Sequence, residues 1–331
     1  MNANWGILGH EWAVELLQGH LTNQRTRHAY LIIGPQGVGR RTLALRLAQA
    51  LNCTQLVEPA IPCGECRACR LIEKMQHPDF SVIQADEAGR ALKVDQIRDL
   101  QHTLSLAPYE TNYKIALILR FEEANPNAAN ALLKTLEEPP PHVIMLLTAS
   151  DSEALLPTII SRCELIRLRP VSIDQVALGL QTHWGLPADQ SILLAHISGG
   201  RPGYALQLSQ DPETLEQRQN HLNDILSLLS ATKVKRFSRA EELSKDRVAL
   251  LSAFQTWLTF WRDIMLRAAG SSIPLTNIDH EDEILALTEK VDLTTAQDIV
   301  NKLGNAIELV EKYINARLVA EVFMLDLPHV L

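Results

Sequence analysis

The two halves of the chain differ in how their apolar residues are spaced. In the first half, longer amphipathic stretches alternate with five short apolar runs, at residues 30–33, 80–83, 115–119, 143–147 and 165–168. Several of these runs are nearly continuous, which is typical of strands buried on both faces of a parallel sheet. Strands that alternate with helices predict a doubly wound α/β domain.

Two helices of this half can be placed from their sequence. One has apolar residues at helical spacing, namely Val94, Ile97, Leu100 and Leu104. The other begins at Asn125, a favoured N-cap residue, with Pro126 at the first helical position, and continues over 127–136. Prolines at 139–141 end it, because proline lacks the N–H group that a helix interior requires.

Beyond Pro170 the strand pattern disappears, and glycine- and proline-rich breaks separate three short predicted helices, at 172–181, 188–197 and 203–208. From Pro212 onward the pattern is helical throughout. The predicted organisation is an α/β domain over residues 1–169, a small helical domain over 170–211 and an all-α domain over 212–331.

The composition is that of a globular chain, since 46% of the 331 residues are hydrophobic and 21% are charged. The formal net charge of −8 argues against a protein that coats nucleic acid by itself, because such binding depends on neutralising phosphates. No apolar run reaches the roughly 18–20 residues that cross a bilayer. The N-terminal stretch contains Glu11 and Glu15 and lacks the basic start of a signal peptide. We therefore expect a cytoplasmic protein with no membrane partner.

A glycine-rich segment follows the first predicted strand and opens a helix, as phosphate-binding loops do. Its glycines are Gly34, Gly37 and Gly39. The usual pattern G-x-x-x-x-G-K-[ST] is altered, because Arg40 stands at the lysine position, Arg41 stands at the hydroxyl position and Thr42 comes one residue late. A guanidinium has no lone pair to offer Mg²⁺, so Arg41 removes a metal ligand of functional loops.

In catalytic phosphate-loop proteins, an acidic residue after a later strand holds the metal. The aligned positions here are Leu119 and Arg120, whereas Glu122 and Glu123 come later, inside the turn. Three interpretations of residues 34–42 remain open: a turn without a ligand, a loop that binds nucleotide weakly, and a loop that hydrolyses ATP. The altered residues argue most strongly against the third.

Four of the five cysteines lie close together, namely Cys53, Cys63, Cys66 and Cys69. In a reducing compartment this spacing is typical of a metal site rather than of disulfides. Four thiolates complete the tetrahedral coordination of Zn²⁺ and leave no position for water, so the predicted zinc is structural, in a module at about 53–69. Free thiols, or a disulfide formed in vitro, are the alternative. The nearby Arg67, Arg70 and Lys74 indicate either a solvated basic helix face or a contact with DNA.

Several segments together resemble one family. They are HAYLIIGPQGVGRRT at 28–42, the four cysteines, HPD at 77–79, AANALLKTLEEPP at 128–140, LLPTIISRC at 155–163 and GGRPGYAL at 199–206. In this order they are similar to the delta-prime subunits of the bacterial replicative clamp loader, within the AAA+ superfamily. Beyond Pro212 the resemblance is limited to helical character and length.

The resemblance implies a subunit of a heteropentamer that also contains gamma/tau motor subunits and a delta subunit, within the DNA polymerase III holoenzyme. Such a loader uses ATP and Mg²⁺ bound between neighbouring subunits to open a sliding clamp and place it on primed DNA. Residues 1–169 would then be an AAA+ module with the zinc insertion, residues 170–211 its lid, and residues 212–331 a collar domain.

The resemblance also implies a role for Arg162, which by itself is a surface arginine. Ser161, Arg162 and Cys163 match the motif that presents an arginine finger to ATP held by the adjacent subunit. Gly203 stands where active members carry an arginine that contacts nucleotide. These matches imply a subunit that acts in trans and hydrolyses no ATP itself, with ATP and Mg²⁺ only in the neighbouring subunit.

Two other functions remain as alternatives. One is a catalytically active AAA+ ATPase, the motor subunit of the same complex, against which Arg41, Leu119 and Arg120 argue. The other is a zinc-dependent nucleic-acid-binding protein that works alone. The charge of −8 and the aromatic content of 5% argue against that function.

Overall fold

The computed structural model describes residues 4–85, 91–312 and 314–330, and the chain divides into two compact units. The first unit comprises Met1–Gly179 and Gly200–Tyr204, and the second comprises Leu180–Gly199 and Ala205–Leu331. The first is built around a β-sheet, whereas the described residues of the second contain helices and no strand. The predicted fold class, α/β followed by all-α, is confirmed.

The sheet has five parallel strands in the order β2-β3-β4-β1-β5. The strands are β1 (Ala29–Ile33), β2 (Phe80–Ile83), β3 (Lys114–Ile118), β4 (Val143–Ala149) and β5 (Glu164–Arg167). All five coincide with the predicted strands and differ from them by at most two residues at an end. Every residue of β1, β3 and β4 is buried, which explains why the apolar runs are continuous.

Helices cover both faces of this sheet. They are α1 (Glu11–Thr22), α2 (Arg40–Asn52), α3 (Arg67–Glu73), α4 (Val94–Ser105), α5 (Pro126–Glu137) and α6 (Pro157–Ile160), with a 3₁₀ helix at Phe121–Glu123. One core contains Leu43 of α2 and Ile32 of β1, and the other contains Leu100 of α4 and Leu31 of β1. The carboxamide of Asn125 accepts a hydrogen bond from the Ala128 N–H at 2.8 Å, which is the predicted N-cap.

The remaining helices lie between Ile173 and Asp326. They are α7 (Ile173–Trp184), α8 (Ala188–Ile197), α9 (Pro202–Gln210), α10 (Pro212–Leu229), α11 (Lys233–Leu243), α12 (Arg247–Ala268), α13 (Glu281–Thr288), α14 (Leu293–Glu311) and α15 (Ala316–Asp326), with a 3₁₀ helix at Ile278–His280. The core of the second unit contains an aromatic cluster of Phe254, Trp257 and Phe323, with ring centroids 5.3–5.9 Å apart. The indole N–H of Trp257 donates to the His221 carbonyl at 2.7 Å, so this buried ring is also fixed in orientation.

Within the described part of the chain, none of the helices combines the length and the apolar character that a bilayer crossing requires.

Candidate functional site

The glycine-rich loop joins the end of β1 to the start of α2. Gly34 has a φ of +150°, and a Cβ there would lie 2.4 Å from the Leu168 carbonyl oxygen, so no larger residue fits without a shift. Gly37 and Gly39 have φ values of +80° and +114°, and Gly39 is the N-cap of α2. These are conformations that favour glycine. The segment therefore has the strand, loop and helix arrangement of a phosphate loop.

Arg40, which replaces the lysine of functional loops, is paired inside the protein. Its side chain is 11% exposed, and Nη1 lies 4.0 Å from Oε1 of Glu122, in the 3₁₀ helix after β3. The same Glu122 oxygen accepts a hydrogen bond from the Ser150 N–H at 3.0 Å. Burial lowers the pKa of Arg40, and Glu122 opposes that effect. The Arg40 guanidinium thus forms an ion pair with a carboxylate of the same chain.

The other two altered residues lie on the surface. Arg41 and Thr42 both have exposed side chains in the first turn of α2. Leu119 is buried and Arg120 has a left-handed backbone, with Nε donating to Glu123 at 2.9 Å. The described residues therefore provide no hydroxyl at position 41 and no carboxylate at positions 119 and 120 to hold Mg²⁺.

The first residues of α9 pack directly against the glycine-rich loop. The N–H of Gly203 donates to the Gly37 carbonyl at 2.8 Å, and a Cβ at Gly203 would lie 2.9 Å from that oxygen. A Cβ at Gly37 would lie 2.7 Å from the Cβ of Tyr204. The position where the resemblance leads us to expect a nucleotide-contacting arginine therefore has no room for a side chain.

His10 also contacts the loop. Its Nε2 lies 3.0 Å from the Val38 carbonyl, and because a carbonyl only accepts, Nε2 carries the proton and donates. Burial lowers the pKa of His10, so the imidazole is neutral at pH 7. Sequence reasoning missed both His10 and the pairing of Glu122 with Arg40, because these contacts join residues that are distant in sequence.

The four cysteine sulfurs converge on one point. Their Sγ atoms all lie within 4.8 Å of one another, with Cys53 3.6 Å from Cys63 and 4.0 Å from Cys66. Four thiolates at the usual Zn–S distance of about 2.3 Å in a tetrahedron are about 3.8 Å apart. The set therefore fits a tetrahedral zinc ion.

Local backbone structure prepares these sulfurs for a cation. Backbone N–H groups point at them: Cys63 donates to Cys53 at 3.4 Å, Cys66 to Cys63 at 3.2 Å, and Cys69 to Cys66 at 3.4 Å. Burial alone would raise the pKa of Cys66, but hydrogen bonds from Cys69 and Thr54 outweigh it and lower that pKa to about 6. Burial raises the pKa of Cys69, which would be a neutral thiol without a cation beside it.

The cysteine module is fastened to the α/β core on both sides. Asn52, next to the first cysteine, donates to the Tyr113 carbonyl at 2.8 Å and accepts from the Tyr113 N–H at 3.1 Å. Gln49 of α2 donates to the Cys69 carbonyl at 2.9 Å. The buried Trp5 donates from its indole to the Ala60 carbonyl at 2.9 Å. The module is therefore a fixed part of the first unit.

Arg162 lies at the surface just after α6 and is one-third exposed. Ser161 is exposed, and Cys163 is half-buried, where burial raises the pKa of its thiol to about 12. The strand β5 begins at Glu164, which pairs with Tyr30, and ends at Arg167, which pairs with the last residue of β1. Because these strands are parallel, Arg162 lies at the N-terminal ends of the strands, and the glycine-rich loop lies at their C-terminal ends. The length of β5, roughly 10 Å, separates the two.

Comparison with known proteins shows what this region is similar to. The family model described as DNA polymerase III, delta subunit matches residues 9–172. The DNA polymerase III subunit delta' of Pseudomonas aeruginosa is 38% identical over 207 residues, which is 61% of each chain. Residues 9–172 are similar to this DNA polymerase III family. The resemblance to delta-prime subunits is confirmed.

Two further relatives differ in how much of their length is matched. The DNA polymerase III subunit delta' of Bacillus subtilis is 28% identical over 299 residues, covering 89% of this chain and 88% of that protein. The DNA polymerase III subunit tau of Escherichia coli is 39% identical over 170 residues, but this is 51% of this chain and 26% of tau. The chain thus spans less than two thirds of the length of the P. aeruginosa and E. coli relatives.

Proposed function

We propose that this chain is a delta-prime-type clamp-loader subunit that hydrolyses no ATP itself and supplies Arg162 to ATP held by a neighbouring gamma/tau subunit. In this role it would assemble with gamma/tau and delta subunits, and the complex would place a sliding clamp on primed DNA. The names of the relatives, subunit delta' and subunit tau, support the gamma/tau part of this assembly.

The observation that carries the proposal is the state of the chain's own phosphate loop. Arg40 is paired with Glu122, and Gly203 is packed on Gly37. Arg41 stands where a hydroxyl would hold Mg²⁺. Binding of Mg²⁺–ATP in a catalytic geometry would require all three features to change.

The location of Arg162 supports the second part of the proposal. Arg162 and the glycine-rich loop lie at opposite edges of the sheet, so a phosphate that meets this arginine must be bound by another subunit. A guanidinium that neutralises charge developing on the γ-phosphate raises the rate of hydrolysis by about 10³–10⁵-fold in such enzymes. Arg162 would act on the neighbouring site in this way.

Zinc has a structural role in this proposal. Cys53, Cys63, Cys66 and Cys69 would hold Zn²⁺ with four thiolates, which leaves no position for a reacting water. The ion would fix the loop between α2 and α3 and take no part in ATP chemistry.

The test is clamp loading by the reconstituted complex with R162A. We expect the loading rate to fall by about tenfold or more, because the neighbouring site loses its arginine. Assembly of the complex should be normal. R25A, which alters an exposed arginine between α1 and β1, is the matched control and should load normally. Normal loading by R162A would contradict the assignment, and tight, steeply salt-dependent DNA binding by the isolated chain would favour a nucleic-acid-binding function instead.

A further inference from the structure

The Arg162 side chain is held at two points within its own subunit. Its Nη1 donates to the Thr158 carbonyl at 2.9 Å, and its Nη2 donates to Oε1 of Glu137 at 2.5 Å. A guanidinium carries five N–H donors in a planar fork, so these two bonds leave three donors. The fork is thus fixed in direction while most of its donors remain available to a phosphate.

Glu137 contributes little to the stability of helix α5 or of the fold. It is the last residue of α5, where a carboxylate faces the negative end of the helix dipole. Its side chain is 49% exposed, and ion pairs at such exposed positions contribute little to folding. What this carboxylate does provide is a fixed acceptor beside Arg162.

Both partners are mounted on rigid elements. Leu136 of α5 and Ile159 of α6 are buried in the same apolar core, so the two helix ends are fixed relative to each other. The Asn125 cap fixes the start of α5. A side chain supported in this way is preorganised, because its rotamer is set before substrate arrives.

We propose that Glu137 is a positioning residue that orients the Arg162 guanidinium toward the phosphates of ATP bound by the neighbouring subunit. This inference rests on the proposed function. A donor that is already oriented needs no rearrangement when charge develops in the transition state, whereas a free arginine must first lose its rotamer freedom. Glu137 therefore acts on the rate of hydrolysis through Arg162 and not on the affinity for ATP.

The experiment measures kcat and KM for ATP in the reconstituted loader. E137A should lower kcat about tenfold and change KM by less than about twofold, because orientation is lost and binding is not. E137Q keeps the Oε1 acceptor but loses the charge, and should have an intermediate kcat. E138A removes the adjacent exposed carboxylate and should match wild type.

A double-variant cycle separates this inference from the proposed function. If Glu137 acts through Arg162, E137A should cause no further loss in the R162A background. A kcat for E137A equal to that of E138A, with R162A slow, would overturn the role of Glu137 and leave the proposed function in place. An added loss in the R162A background would also overturn it, while a wild-type kcat for R162A would contradict the proposed function itself.

Discussion

At the start of α2, the guanidinium of Arg40 lies 4.0 Å from Glu122, and both side chains are largely buried. Each of these two buried charges therefore has a partner of opposite sign within the chain. Arg40 stands at the position of the lysine that contacts phosphate in a functional loop. A nucleotide would have to displace a carboxylate that is already in place.

Replacing Glu122 should therefore destabilise the protein. In E122Q the Arg40 charge remains buried without a partner, and we expect the free energy of unfolding to fall by about 1–3 kcal/mol. Urea unfolding monitored by circular dichroism measures this, with E15Q on the exposed face of α1 as the control. Equal unfolding free energies for the two variants would show that the pair does not stabilise the loop.

Asp79, in the segment HPD, fixes the backbone of residues 109–111 through hydrogen bonds. Its buried carboxylate accepts hydrogen bonds from the N–H groups of Tyr109 at 2.6 Å, Glu110 at 2.9 Å and Thr111 at 3.1 Å, and from the Thr111 hydroxyl at 2.9 Å. Burial alone would raise the pKa of Asp79, but these bonds outweigh it and lower the pKa. The ionised form is thus the one that the folded state favours.

A lowered carboxyl pKa stabilises the fold above the unfolded pKa of about 4, and this stabilisation is lost as the pH falls through the folded pKa. D79N should therefore cost about 2–3 kcal/mol at pH 7, and the difference from wild type should shrink below about pH 4. Urea unfolding between pH 3 and pH 7 measures it. A difference that stays constant over this range would contradict the account.

At the scale of elements, the cysteine module should depend on its metal. C66S removes one of the four sulfurs, so the purified variant should lose its zinc, and the first unit should unfold at a lower temperature than in wild type. C163S alters the fifth cysteine, which lies outside the cluster, and should keep one zinc per chain. Metal analysis and thermal unfolding of both variants decide this. Full zinc content in C66S would refute the four-sulfur site.

The sequence predicted the secondary-structure elements better than it predicted the contacts between them. The strands and the helix that begins after Asn125 follow from continuous apolar runs and from local capping chemistry, both of which depend on neighbouring residues. The contacts of Glu122 with Arg40 and of Glu137 with Arg162 were not predicted, because each depends on chain packing between residues far apart in sequence. The phosphate-loop pattern and the family resemblance identified the arginines but not their carboxylate partners.

At the scale of the whole molecule, the chain has a phosphate loop whose Arg40 is paired with Glu122 at one end of the sheet's strands. Arg162 lies at the other end of the same strands. A polypeptide that cleaved ATP alone would need its phosphate loop and its arginine to meet. In this chain they are separated, so under the proposed function Arg162 would act on ATP bound by a second subunit. The proposed division of labour within a clamp loader follows from that separation.

The most direct test of this account is ATP turnover measured for the chain alone and for gamma/tau and delta subunits with and without it. We predict no Mg²⁺-dependent hydrolysis by the chain alone, and a rise in turnover when the wild-type chain joins the other subunits. R162A should assemble but give a smaller rise. Robust hydrolysis by the purified chain, or an equal rise with R162A, would contradict the account.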